Sequence, residues 1–190
     1  MTEHPLNIAV IIGSTRQGRF GPVVAEWFAA HARARPDLAV DVVDLVDVEL
    51  PAVHPSRPVA ELDAWRTRLG RADSFVVVTP EYNHGYPAAL KHAIDLVHGE
   101  WQAKPVAFVS YGGVSGGLRA VEQLRQVFAE LHATTVRDTV SFHRAHGAFD
   151  PSGRPIDPEG CTAAAKLLLD QLTWWARALR QARTAHPYMA

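Results

Sequence analysis

Short apolar runs recur along the chain at wide intervals: Asn7–Ile12 (NIAVII), Ala39–Leu45 (AVDVVDL), Ser74–Thr79 (SFVVVT) and Pro105–Ser110 (PVAFVS). The first, third and fourth are nearly continuous and rich in Val and Ile, which predicts strands buried on both faces. The second sets Val40, Val42 and Leu45 against Asp41 and Asp44, an alternation that suits a strand nearer a sheet edge. Thr134–Phe142 (TTVRDTVSF) is β-branched and partly alternating, and is the fifth strand candidate.

Between these runs the apolar residues fall at helical spacing. Pro22–Arg35 carries Val23, Val24, Trp27 and Phe28; Val59–Arg71 carries Leu62, Trp65 and Leu69; Pro87–Val97 carries Leu90, Ile94 and Val97. Leu118–Leu131 carries Val121, Leu124, Val127 and Phe128, and Pro158–Arg183 is a long last helix with Leu169, Leu172, Trp175 and Leu179. Pro22 and Pro87 suit the first turns of their helices. Val46–Pro58 and His143–Glu159 are rich in Pro or Gly and read as loops.

Strict alternation of strand and helix predicts an α/β fold, a parallel sheet with helices on both faces. Five strands in a domain of this size suit the order 2-1-3-4-5. Such a sheet gathers its strand-to-helix loops at one edge, so function is expected in the loops after strands 1, 3 and 4.

The 190 residues make one domain, residues 1–190. Nineteen Lys and Arg against twenty Asp and Glu give a net charge of −1, which offers no electrostatic case for nucleic acid or an anionic membrane. The single cysteine, Cys161, excludes an intrachain disulfide and a Cys-rich zinc site. The start MTEHPLNIAVIIG lacks the basic residues and the length of a signal peptide, and no run is long enough to span a membrane, so a cytoplasmic protein is expected.

The loop Gly13-Ser14-Thr15-Arg16-Gln17-Gly18-Arg19-Phe20-Gly21 joins the first strand to the first helix. Glycines there let successive N–H groups point at one spot, the helix start adds partial positive charge, and Ser14, Thr15, Arg16 and Arg19 add donors suited to phosphate. It is neither a Walker A loop nor a dinucleotide fingerprint; taken alone, a Gly-rich turn with solvated arginines has the same sequence. After strand 3, Pro80-Glu81-Tyr82-Asn83 leads into a Pro- and aromatic-rich loop suited to a flat ligand, with Tyr82 beside a ring and Asn83 or backbone amides at its polar edge. After strand 4, Ser110-Tyr111-Gly112-Gly113 and the next helix start would bring N–H groups to a negatively charged oxygen or ring nitrogen. Lys91 is expected on the following helix rather than as a base.

These three motifs, Gly13-Ser14-Thr15-Arg16, Pro80-Glu81-Tyr82-Asn83 and Ser110-Tyr111-Gly112-Gly113, resemble those of the NADPH-dependent FMN reductase family of flavodoxin-like proteins, which includes quinone, azo and chromate reductases. The resemblance covers roughly the first 140 residues. It implies a flavodoxin-like three-layer sandwich and a bound FMN. Ser14 and Arg16 would hold the phosphate, Glu81 to Asn83 would line the isoalloxazine largely through backbone groups, and Ser110, Gly112 and Gly113 would face the pyrimidine edge. NADPH or NADH would deliver hydride to flavin N5, and a quinone, flavin or similar small acceptor would then take the electrons, in ping-pong order. The flavin carries the chemistry, so no catalytic side chain is expected. Many family members have a small polar residue in place of Arg19, which leaves three roles open: gripping the phosphate, meeting the 2′-phosphate of NADPH, or facing solvent. A homodimer or homotetramer is implied, with Trp65 and the third helix as candidate contacts.

His143-x-x-His146 lacks carboxylate or Cys support for a metal, and His84 reads as a surface residue within reach of an acceptor. Trp174 and Trp175 read as core or interface, Cys161 as a small half-buried residue, and Arg33 and Arg35 as partners of the first helix dipole. The competing readings are a flavodoxin-type electron carrier and a flavin-binding sensor without turnover.

Overall fold

The nearly continuous apolar runs become the inner strands of one parallel sheet. The structure is a computed structural model that describes residues 4–189; residues 1–3 and 190, part of the range read as one domain, lie outside the described residues. The elements are β1 (Leu6–Ile12), α1 (Gly21–Arg33), β2 (Leu38–Asp44), α2 (Ala60–Gly70), β3 (Ser74–Pro80), α3 (Ala88–Asp95), β4 (Pro105–Tyr111), α4 (Leu118–Glu130), β5 (Thr134–Phe142) and α5 (Pro158–Ala185), with a 3-10 turn at Ala145–Gly147. The helix ends fall within two residues of those that periodicity predicts. The sheet order is β2-β1-β3-β4-β5, as expected.

Every residue of β3 and β4 is buried, whereas β2 alternates, because β2 is an edge strand covered on fewer sides. Val10, Val76 and Val109 pack with Phe28 of α1 and Leu168 and Leu172 of α5 on one face. Ile11, Val77 and Phe108 pack with Trp65, Leu90 and Phe128 on the other. A register shift interrupts the pairing of β4 with β5 between Val106 and Phe108. Arg125 fills that gap, donating to the Val136 and Arg137 carbonyls at 2.7 and 2.9 Å, so the bulged backbone stays hydrogen-bonded.

Four expectations change. Trp65 is no subunit contact: it is 2% exposed in the core and its Nε1 donates to the Ala93 carbonyl at 3.0 Å. Trp174 and Trp175 are not core, being 63% and 39% exposed on α5. The segment His143–Glu159, read as a loop, is a pinned one: buried Phe149 holds it against Phe142 and Phe20, with ring centroids 4.7 and 5.3 Å apart. Arg35 also has more to do than answer a helix dipole, since it pairs with Asp37 and Asp170.

Candidate functional site

At the carboxyl edge of the sheet a cavity of about 520 Å³ opens between four loops. Its walls come from residues 16–20 after β1, 80–82 after β3, 111–113 after β4 and 144–147 after β5. The volume and the mixture of aromatic and charged lining suit a small-molecule site. A larger cavity of about 850 Å³ lies between β1, β2 and α2. Two of its charged groups, Arg68 and Asp41, bond to each other at 2.7 and 2.8 Å, and its place between these elements is away from the strand-to-helix loops. The smaller cavity is therefore the candidate.

One end of it is built for an anion. The N-terminus of α1 has no side-chain cap and no acidic residue in its first turn, so the partial positive charge there is left uncompensated. Arg16 arches over the Tyr82 ring, 5.6 Å from its centroid, with no carboxylate partner among the described residues. Gly21 makes the close approach possible: a Cβ there would lie 2.6 Å from Ser14 Oγ and 2.8 Å from Tyr111 Oη. Arg19 takes none of its three open roles freely. Its guanidinium is held by Asp44 at 2.6 and 2.7 Å and by the Ser14 carbonyl at 2.9 Å, so it braces the loop with its charge matched.

Two predicted donors are displaced here. Ser14 is fully buried beneath the loop, where its Oγ accepts from Tyr111 Oη at 3.1 Å. Thr15 is exposed and stands outside the cavity wall. Burial pushes the Tyr111 phenol up to about 12, which keeps it a protonated donor to Ser14.

The other end is a flat slot. Tyr82 and Gly85 exchange backbone hydrogen bonds of 2.9 and 3.0 Å across Asn83 and His84, whose φ values of 49° and 71° make a tight type I′ hairpin. Pro80 closes β3 beneath it. The Glu81 carboxylate does not face the slot. It accepts from Arg119 Nε at 2.9 Å, from the Arg119 backbone N–H at 3.2 Å and from Ser115, so it caps α4. That corrects the expectation of an open anion site at the start of α4: Glu81 already fills it, and with the Glu81 N–H donating to the Tyr111 carbonyl at 3.2 Å, only the Glu81 carbonyl remains for a ring. Ser110 is likewise buried, donating to the Gly116 carbonyl at 2.9 Å, and the Gly112 N–H extends the sheet to the Phe142 carbonyl at 3.1 Å. Of the predicted pyrimidine-edge group, Gly113 keeps a free N–H among the described residues. Lys91 pairs with Asp95 on α3, as its position predicts. Exposed His84 touches Arg119, and exposed Asn83 stands beyond the cavity wall.

The sequence reading missed Phe20, Arg144 and His146. The last two lie in the segment read as a plain loop, which β4–β5 pairing carries to the site. Arg144 and Ala145 donate backbone bonds to the Gly113 and Gly112 carbonyls at 2.8 and 3.0 Å. The aromatic residues Phe142 and Phe149 that bracket the segment were the available signal of a pinned loop. His143 and His146 turn to different partners, the Val114 carbonyl and the Phe20 ring.

An arginine without a carboxylate partner among the described residues and an uncapped helix start on one cavity fit a phosphate, and the adjoining hairpin backbone, tyrosine and free amide fit a heteroaromatic ring. FMN joins those two groups in one molecule, so the donor set fits it. The NADPH-dependent FMN reductase family profile matches residues 6–147. An NAD(P)H-dependent FMN reductase of Schizosaccharomyces pombe is 35% identical over 159 residues, spanning 76% of this chain and 79% of its own. A quinone reductase of Pseudomonas putida is 34% identical over 161 residues, 80% and 85% of the two chains. The fold matches that of the flavoenzyme NAD(P)H:(acceptor) oxidoreductase FerB from Paracoccus denitrificans with a TM-score of 0.73 at 20% identity, over 90% of this chain and 98% of that one. With loops, cavity and sequence in agreement, the chain belongs to the NADPH-dependent FMN reductase family, as an FMN-dependent NAD(P)H oxidoreductase.

Proposed function

We propose that this oxidoreductase runs a ping-pong cycle in which NAD(P)H and a small flat acceptor, a quinone in the first instance, use the same open slot in turn. The single observation that carries this reading is the one cavity, anion-binding at one end and flat at the other, which offers the two substrates a shared approach. Arg16 and the start of α1 would hold the FMN phosphate, and the 81–83 backbone and the Gly113 N–H would border the ring. Bound FMN would supply hydride acceptance from NAD(P)H and two-electron transfer to the acceptor. The protein orients and encloses: Tyr82 and Pro80 wall the ring, Arg19–Asp44 holds the loop shut beneath it, and the Gly113 N–H favours negative charge on the ring's polar edge.

A homodimer or homotetramer is part of this reading. Val114 and Leu118, 84% and 41% exposed at the rim, are the apolar surface that supports a second copy beside the slot. A cytoplasmic location also belongs to it; among the described residues no helix is long and apolar enough to cross a membrane. Initial rates with NADPH and a benzoquinone, both varied, test the cycle. Parallel double-reciprocal lines are expected. Intersecting lines would show both substrates bound at once and overturn the shared slot. Flavin binding with no oxidation of NADPH or NADH would instead favour a carrier or sensor.

A further inference from the structure

We infer that Arg144 is the receptor for a phosphate of the nicotinamide dinucleotide, and so a specificity residue of the donor half-reaction; this rests on the reading that FMN occupies the loop-lined cavity. The cavity wall carries three arginines. Arg19 is matched by Asp44, and Arg16, in the loop that leads into α1 and over the Tyr82 ring, is the arginine assigned above to the cofactor phosphate. Arg144 is on the wall built from the β4 and β5 loops, against Gly112 and Gly113, at the ring end. Its guanidinium has no hydrogen-bond or ion-pair partner among the described residues. FMN brings one phosphate and an uncharged oxidised ring, so it leaves this second cation unmatched. A dinucleotide stacked on the ring brings further phosphates, and a planar guanidinium is suited to them.

The backbone supports the same assignment. Arg144 has φ 47°, the left-handed region, which lets Arg144 and Ala145 both donate back to the β4 loop. Glycine would meet that geometry without steric cost. The chain places a long cation there instead, facing a cavity. Strain kept at a site wall points to a use for the side chain.

Arg144→Gly separates a ligand role from a structural one, because it removes the guanidinium and relaxes the backbone together. The thermal midpoint is expected to hold or rise, and the FMN dissociation constant, read by fluorescence quenching, to stay within about twofold. The KM for the donor is expected to rise about 10- to 100-fold, with Arg144→Lys intermediate. Calorimetric titration of the FMN-loaded protein with 2′,5′-ADP and with ADP gives a readout independent of turnover. Weakened 2′,5′-ADP binding alone, with only the NADPH KM raised, assigns the 2′-phosphate. Weakening of both probes, with NADH equally affected, assigns the pyrophosphate. Unchanged KM and probe affinity in the variant would overturn the inference, as would a loss confined to FMN affinity, which would hand Arg144 to the cofactor. Failure of the wild-type chain to bind FMN would instead sink the underlying reading of the cavity, and is seen before any variant is made.

Discussion

The two edges of the sheet solve the same problem in opposite ways. At the amino edge, cations meet partners within the chain. Arg35 bonds Asp37 and Asp170, Arg177 bonds Asp37, and Arg180 and Arg183 share Asp73. Arg35 holds the Asp37 carboxyl below its usual range by hydrogen bonding and charge. Lys104 is buried, with Nζ donating to the Leu69 and Gly70 carbonyls at the end of α2. At the carboxyl edge Arg16 and Arg144 are left without carboxylates, and α1 starts uncapped. Left-handed backbone follows the same division: Asn83, His84, Arg144, Gly116 and Gly117 stand at the carboxyl edge, against Ala103 and His132 at the other. One edge pairs these cations within the chain; the other holds charge and strain ready for a ligand.

The largest effect is expected at Gly117, where a Cβ would lie 2.7 Å from Ser110 Cβ and 2.9 Å from the Tyr111 backbone nitrogen, at a φ of 88°. Gly117→Ala should lose about 3 kcal/mol in denaturant unfolding and most of its flavin affinity, since the clash is with the strand end itself. A variant within about 1 kcal/mol of wild type would mean that the loop is slack and the strain argument is wrong. Next is Arg16→Ala, which should raise the FMN dissociation constant about 100-fold by removing charge-assisted bonds to the phosphate. Arg35→Ala, an arginine lost from the matched edge, should leave that constant unchanged. Equal effects of the two would erase the contrast between the edges.

What was legible in the sequence follows from which contacts are local. The strands could be read because two-sided burial leaves continuous Val and Ile, and β2 betrayed its edge position through Asp41 and Asp44. The Gly-rich turn and Arg16 were legible because strand, loop and helix start are contiguous. Ser14, Ser110 and Glu81 were misplaced for the converse reason. Their partners, Tyr111, Gly116 and Arg119, belong to contacts between or across loops that a linear reading does not order. Arg144 was missed because β4–β5 pairing, not sequence proximity, sets it against Gly113.

The matched edge makes its own prediction through Lys104. Burial, followed by repulsion from Arg183, lowers its ammonium from 10.5 to about 8. Between those values the unfolded chain keeps the proton and the folded chain releases it. Stability therefore rises with pH across that window, at up to about 1.4 kcal/mol per pH unit. Wild type should gain about 2 kcal/mol on Lys104→Met between pH 8 and about 9.5, measured by urea unfolding of both proteins. A difference that is flat with pH would mean the ammonium stays charged on its two carbonyls.

The smallest effect compares strain directly across the two edges. His84 and Ala103 have φ values of 71° and 51°, and both are residues for which the left-handed region is costly. Substitution by glycine relieves that cost but adds flexibility to the unfolded chain, so each variant should gain only about 0.5 kcal/mol. The consequences for binding should part. Ala103 sits at the amino edge, its N–H donating to the His132 carbonyl at 2.9 Å, and Ala103→Gly should leave flavin affinity untouched. His84 anchors the hairpin through Arg119 and through its carbonyl, which accepts from Gln123 at 2.9 Å. His84→Gly should therefore stabilise the fold while weakening FMN binding a few-fold, the exchange expected where a strained loop shapes a site. If both variants bind flavin like wild type, the strain at the carboxyl edge belongs to chain turning alone, and only the unmatched arginines would distinguish that edge from the other.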